Sequence, residues 1–387
     1  LDGAHREAAG LQEIRGRSAQ AGRCLNKNGL KRRRAAALLG AAALAPIRSG
    51  AQERGVVDQA ALARLAGRLA LHSNVHALLV ARGGRTVFER YFSGPDEVMN
   101  RRVRDTIFDA DTLHDMKSVT KSVASLALGV ALDRGLIPGG LDRPLFDFFP
   151  ELSDLRTPKK AGLLLHHAVT MTLGLRWIEA EPATEGNNDE DRMRRAEDPC
   201  RYVLGLPIVA PPGRDFFYNT GALALLATIF KGAVGRPLDD FAREVLFEPL
   251  GIKGTEWRHW KGEVDVGGGL RLHPRDMIKL GQLVLQGGRW EGRQIVSPAW
   301  IEASTAPHVV ASARYRYGYL WWLGRSPWHG REIEWVAALG RGGQSIRIVP
   351  ALDLVVAVTA GYYQDYSPQT FALQAGVFAE VLEAVQP

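Results

Sequence analysis

The chain has 387 residues, 46% of them hydrophobic and 24% charged, the balance of a globular protein with one large or two intimate domains. Its net charge of +7 resides in residues 1–51, which carry ten Lys/Arg against three acidic residues. The body is neutral overall, which leaves little electrostatic support for nucleic-acid binding.

Residues 1–51 have the order of an export signal. Lys31-Arg32-Arg33-Arg34 precede an apolar run over 35–47, and Ser49-Gly50-Ala51 supply small residues for cleavage. The run is too short to span a bilayer comfortably, and the arginine cluster fits a twin-arginine route. This order predicts a periplasmic or secreted protein without a stable membrane span after processing; the competing reading is a basic tail. Only Cys24 and Cys200 are present, so removal of the leader leaves one cysteine and no internal disulfide.

Residues 57–71 predict an amphipathic helix. Residues 75–81 and 85–92 predict strands joined by Gly83-Gly84, a hairpin signal. Residues 93–117 read as irregular. From Val119 the apolar positions Val123, Leu126, Ala127 and Val130 recur at helical spacing, and Gly135 with Pro138 ends the pattern. Residues 163–173 predict an apolar helix. Residues 179–199 are polar and acidic and read as a surface loop, possible rim of a site. A helix is predicted over 222–231, capped by Asn219 or Thr220. Gly267-Gly268-Gly269 lacks the strand–helix setting of a nucleotide loop and reads as a turn. Strands are predicted over 317–323, 332–339, 345–349 and 354–359, with the last hairpin turn at Pro350-Ala351-Leu352-Asp353, and a closing helix over 370–385. Strands from both ends around a helical middle imply an α+β fold. One antiparallel sheet is built from 52–117 and 301–387, the helical part is 118–300, and a cleft lies between them.

Three groups stand at suggestive places. Ser118 and Lys121 are one helical turn apart on one face, beside the positive end of a helix dipole that favours an oxyanion. A lysine desolvated there can lose its proton and serve as a base. Alone, the pair is equally an N-cap serine and a solvated lysine. Tyr218, before a second helix, can carry a proton. Arg341-Gly342-Gly343-Gln344 opens a strand where glycines let the backbone approach a substrate closely. His114, close to Ser118, invites a Ser–His reading, set against a structural histidine orienting the loop. Trp177, Trp321 and Trp322 are candidates for an apolar pocket or for core packing. No metal-ligand spacing is evident and no cofactor is expected.

The ordered set Ser118-Val119-Thr120-Lys121-Ser122, Phe217-Tyr218-Asn219-Thr220-Gly221, Leu246-Phe247-Glu248-Pro249-Leu250-Gly251-Ile252, Gly267-Gly268-Gly269-Leu270-Arg271-Leu272, Tyr317-Gly318-Tyr319-Leu320-Trp321-Trp322 and Gly340-Arg341-Gly342-Gly343-Gln344 resembles the serine β-lactamase and penicillin-binding-protein superfamily. The similarity spans residues 75–380 and is closest to the class C-like branch of esterases, D-aminopeptidases, DD-peptidases and 6-aminohexanoate-dimer hydrolases. It implies a helix-flanked antiparallel sheet with an inserted helical domain, filling 52–387. It implies Ser118 as acylated nucleophile, Lys121 as its base partner and Tyr218 as the tyrosine of the Tyr-x-Asn motif, with the oxyanion held by the backbone N–H groups of Ser118 and Gln344. Arg341, Gly342, Gly343 and Thr220 fall on substrate-facing positions. Thr220 replaces the asparagine of Tyr-x-Asn, and Arg341-Gly342-Gly343 replaces Lys-Thr-Gly. These departures argue against efficient lactam hydrolysis and for carboxylic esters or small amides. The alternatives are a β-lactamase or D-Ala-D-Ala carboxypeptidase, and a catalytically idle cell-wall-binding member.

Overall fold

The computed structural model describes residues 56–72, 74–179, 188–365 and 367–387. The expected export leader, with its cleavage residues, lies outside the described residues. Labelled in chain order, the elements that position the site are helix α1 (Gln59–His72), strands β1 (Val75–Arg82), β2 (Arg85–Tyr91), β3 (Ser93–Val98), β4 (Arg101–Ile107) and β5 (His114–Asp115), and helix α2 (Val119–Asp133). Helix α3 (Gly221–Val234), strand β6 (Leu270–Leu272) and helix α4 (Pro274–Leu285) follow. Strands β7 (Val309–Val310), β8 (Arg316–Tyr317), β9 (Trp322–Trp328), β10 (Arg331–Gly340), β11 (Gln344–Val349) and β12 (Leu354–Ala360), and helix α5 (Pro368–Glu383), complete the set.

The eight-stranded sheet runs β7-β8-β9-β10-β11-β12-β1-β2 and is antiparallel at every pairing. The strand from the chain's first third therefore pairs with the last strand, Leu78 opposite Val358 and Val80 opposite Val356. The near-continuous apolar run of β1 follows from its central place: both of its faces are covered, and seven of its eight residues are buried. Alternate residues of β11 show the two layers. Ile346 lies under Gly281 of α4, while Arg347 lies over the rings of Trp335 and Phe378, so α4 and α5 cover opposite faces.

Three expected regions differ. Residues 93–107 are not irregular but form the β3–β4 hairpin. Its turn uses Met99 (φ 52°) and Asn100 (φ 67°) in the left-handed region, where a glycine would normally signal it. The expected helix over 163–173 is reduced to Leu165–Val169, broken by Met171 at φ 58°. The expected strand over 317–323 is split by Leu320 at φ 65°, and the longer strand is β9.

The α4–sheet contact is close enough to be tested. A Cβ on Gly281 would lie 2.4 Å from Val355 Cγ1 and 2.9 Å from Ile346 Cγ2. Overpacking of that kind costs about 1–3 kcal/mol, more than the roughly 1 kcal/mol by which alanine favours a helix over glycine. Gly281→Ala is expected to lower the urea midpoint. Gly232→Ala on α3, where a Cβ would meet nothing within 4 Å, is expected to leave it unchanged or raise it.

Candidate active site

Ser118 stands where the β5 loop enters α2. Its backbone is already helical and its side chain caps no N–H, so the N-cap alternative does not describe it. Its Oγ instead accepts a hydrogen bond from Lys121 Nζ at 2.9 Å. The same Nζ donates to the Gly267 carbonyl at 2.6 Å and lies 5.2 Å from the centre of the Tyr218 ring. The Tyr218 side chain lies close enough to Ser118 and Lys121 for both to bear on its phenol. Ser118, Lys121 and Tyr218 are thus brought together, with Lys121 only 2% exposed and Ser118 reachable from solvent.

The approach to Ser118 is strained and braced. Lys117 sits at φ 48°, a left-handed conformation that costs a non-glycine residue roughly 1–2 kcal/mol. Its ammonium is held by Asn100 Oδ1 at 2.6 Å, Asp115 Oδ2 at 3.2 Å and Glu97 Oε2 at 3.4 Å, and it lies over the Tyr363 ring. Asp115 is held in turn by Arg271. On the far side, Met116 N–H donates to the Leu270 carbonyl and Thr120 Oγ1 accepts from Leu270 N–H. Buried ion pairs of this kind fix a conformation more than they add net stability.

The end of β10 meets this loop backbone to backbone. A Cβ on Gly340 would lie 2.4 Å from the Met116 carbonyl and 3.3 Å from Ser118 N. Gly340 pairs with Gln344 across the turn, so the first residue of β11 comes beside Ser118. The Gln344 side chain is turned away from any substrate: its amide exchanges hydrogen bonds with both the N–H and the carbonyl of Ala360, which leaves the main chain as the part that can face the site. Gly342 and Gly343 have φ 88° and 102°, and a Cβ on Gly342 would strike the Tyr363 ring at 2.5 Å. Arg341 is half-buried and close enough to Lys117 to help lower its pKa, after burial and against the pull of Asp115.

Thr220 is placed differently from the expectation. Its hydroxyl donates to Glu179 Oε1 at 2.8 Å and its N–H to Glu179 Oε2 at 2.9 Å, so it anchors a carboxylate and does not present a free hydroxyl to substrate. Asn219 Oδ1 accepts from Ala222 N–H at the start of α3. Trp177 is core and donates to Glu179 Oε2, and Trp321 is buried. Only Trp322 of the three stands at the site, stacked on Tyr218 at 5.8 Å and continued by Phe216 and Tyr317 into an aromatic wall. His114 makes no hydrogen bond through either ring nitrogen, so it is not a base for Ser118. A cavity of about 160 Å³ shares Thr220 and Gly267 with the site but is lined by none of Ser118, Lys121 and Tyr218; it is a neighbour of the site, not its acyl pocket.

Glu179 is the residue that sequence reasoning missed. It belongs to a stretch read as a surface rim, whose described part also forms the helix Asp189–Arg195. It changes the proton balance. Burial works to lower the Lys121 pKa, but the Tyr218 oxygen, Glu179 and Glu190 together carry it above the ordinary lysine value. Burial pushes the Tyr218 phenol up, with Lys121 opposing, and pushes Glu179 up, with Glu190 adding and Lys121 opposing. The burial that would favour a neutral lysine is thus opposed by its neighbours. Two acceptors, Ser118 Oγ and the Gly267 carbonyl, take hydrogen bonds from the Lys121 amine.

A serine in hydrogen-bond contact with a buried lysine and beside a tyrosine, at the edge of a helix-flanked antiparallel sheet, is the arrangement of the penicillin-recognising class of serine hydrolases. The beta-lactamase family profile matches residues 74–365, and the chain belongs to the beta-lactamase family. It is 24% identical over 329 residues to the 6-aminohexanoate-dimer hydrolase of Paenarthrobacter ureafaciens, covering 80% of this chain and 78% of that one. It is 27% identical over 181 residues to the D-alanyl-D-alanine-carboxypeptidase/endopeptidase AmpH of Escherichia coli K12, covering 47% of this chain and 44% of that one. Its fold superimposes on EstCE1, a hydrolase with promiscuous acyltransferase activity, with a TM-score of 0.64, 16% identity, and coverage of 82% and 98%.

The charge of Glu179 has a measurable signature. Because the Lys121 pKa is raised, the proton-accepting form of the Lys121–Tyr218 pair is scarce at neutral pH and grows as pH rises, and the apparent pKa belongs to the pair. Removing one negative neighbour lets that pKa fall. Glu179→Gln is expected to shift the alkaline rise of kcat/KM to lower pH; an unmoved limb with reduced stability would make Glu179 a packing residue only.

Proposed function

We propose that this protein hydrolyses carboxylic esters or small amides through an acyl-enzyme on Ser118. The observation that carries the reading is the 2.9 Å contact between Lys121 Nζ and Ser118 Oγ inside a network that also ties both groups to Tyr218. Ser118 Oγ attacks the carbonyl carbon while its proton passes into the Lys121–Tyr218 pair. The backbone N–H groups of Ser118 and Gln344 receive the oxyanion, where fixed dipoles stabilise developing charge without reorganising. The pair returns the proton to the leaving alcohol or amine, and water then releases the acid by the reverse path. The similarity to a 6-aminohexanoate-dimer hydrolase supports small amides within the substrate class, and a fold shared with a hydrolase of promiscuous acyltransferase activity is consistent with acyl transfer. The engagement of Thr220 with Glu179 supports it against a lactam-directed site. The order of the leader residues Lys31 to Ala51 supports export to the periplasm or beyond.

Ser118→Ala is expected to abolish turnover of p-nitrophenyl esters while keeping the fold, since Ser118 caps nothing. Intact-mass analysis of the native enzyme with a slow substrate is expected to show an acyl adduct on Ser118. Tyr218→Phe keeps the ring against Trp322 and is expected to lower kcat by roughly 10²–10⁴-fold. Faster turnover of nitrocefin than of the esters would transfer the reading to a lactamase. An adduct at another residue, or a Tyr218→Phe effect on KM alone, would overturn the assigned roles.

Arg341 tests the substrate's charge. A guanidinium can hold a carboxylate through two parallel hydrogen bonds. Arg341→Ala is expected to cost about 1.5–3 kcal/mol in kcat/KM on carboxylate-bearing substrates and little on matched neutral esters. Equal losses on both would assign Arg341 to support of the β10–β11 turn.

A further inference from the structure

Away from Ser118, three side chains from three strands meet in the interior: His76 of β1, Asp96 of β3 and His114 of β5. His76 and His114 are fully buried and Asp96 is 4% exposed. One ligand-capable atom from each lies within 4.8 Å of the other two, and His76 Nδ1 is 3.6 Å from Asp96 Oδ1. Ligands of a tetrahedral metal at about 2.0–2.1 Å stand roughly 3.4 Å apart. The first pair already has that spacing, and the third vertex needs a shift of about 1 Å.

The hydrogen-bond accounting points the same way. His76 Nε2 faces the Pro95 carbonyl at 3.0 Å, and a carbonyl only accepts, so Nε2 carries the proton. Nδ1 is then a bare lone pair, it has no partner, and it faces a carboxylate oxygen. With Asp96 ionised, two acceptors confront each other with no donor between them. Asp96 Oδ1 already accepts from the Tyr363 hydroxyl at 3.0 Å. Both nitrogens of His114 are buried and unpartnered as well. Such orphaned groups cost about 1–3 kcal/mol each and call for a reason.

A cation between the three answers both points. We propose that His76, Asp96 and His114 form a binding site for a divalent transition-metal ion, zinc by its ligand chemistry. Two imidazoles and a carboxylate are a zinc donor set. The contacts from His76 Nε2 to Pro95 and from Tyr363 to Asp96 are the outer partners that fix a ligand's tautomer and orientation. Among the described residues, Lys117 and Arg271 pair with Glu97, Asp115 and Glu256, whereas the one ion-pair partner of Asp96 is His76. The ion stands apart from the acyl chemistry and clamps β1, β3 and the strand that leads to Ser118.

Full-length protein stripped with a chelator and titrated with zinc chloride tests this. Wild type is expected to take up one zinc per chain, to melt at higher temperature with it, and to give a visible ligand-field spectrum with cobalt(II). His114→Gln and Asp96→Asn are expected to lose stoichiometric uptake while keeping the wild-type metal-free circular dichroism. Should His114→Gln fail to fold, the near-isosteric Asp96→Asn decides. Uptake by neither wild type nor variant, or equal uptake by both, overturns the site. Loss of esterase activity in Ser118→Ala with zinc uptake intact leaves it standing, so it is separable from the proposed function.

Discussion

The constraint on which this site depends is a lysine ammonium held almost wholly out of water. An unpaired buried charge is costly, and around Lys121 that cost is opposed by Ser118 and the Gly267 carbonyl, which accept its hydrogen bonds, and by Tyr218 with carboxylates behind it, which raise its pKa. Each of those groups comes from a different part of the chain. The position of one charged atom therefore ties α2, the entry to α3 and the turn before β6 to a common point. The helical section and the sheet are organised so that this point falls beside the Gly340–Gln344 turn.

The two halves of the site are held by different physics. The nucleophile side is polar and strained: Lys117 in a left-handed conformation, pinned by Asn100, Asp115 and Glu97. The strand side is steric. Gly340 leaves no room for a side chain against Met116 and Ser118, and Gly342 none against Tyr363. The Gln344 amide then fastens the start of β11 to Ala360. Charge supplies orientation on one side and close packing of backbone supplies it on the other.

What could be read from the chain is what local periodicity encodes. Ser118 and Lys121 share a helical turn, the sheet's interior strands announce themselves through apolar runs, and the β1–β2 hairpin through Gly83-Gly84. The β3–β4 hairpin was hidden because Met99 and Asn100 take backbone angles that glycine usually advertises. Strand β9 contains Gly324 and Pro327, residues that argue against a strand. Glu179 was unreadable because it sits in an acidic stretch that looks like solvent-facing loop, and the Gly267 contact uses a carbonyl that every residue possesses. His76, Asp96 and His114 follow no ligand spacing along the chain; only the pairing of separate strands brings them together. Thr220 was legible as a departure from the motif, but its engagement with Glu179 was not.

The pairing of β1 with β12 also governs when the protein can take shape. The strand that completes the sheet is the last one synthesised, and the contacts it makes are among the longest-range in the chain. Closing so long a loop delays folding, so a growing chain carries an apolar β1 without its partner until β12 has left the ribosome. The Ala360 groups that fasten Gln344 arrive equally late. A nascent chain has Ser118 long before it has the strand that fastens Gln344, and until then its unpaired apolar surface is of the kind that misassociates.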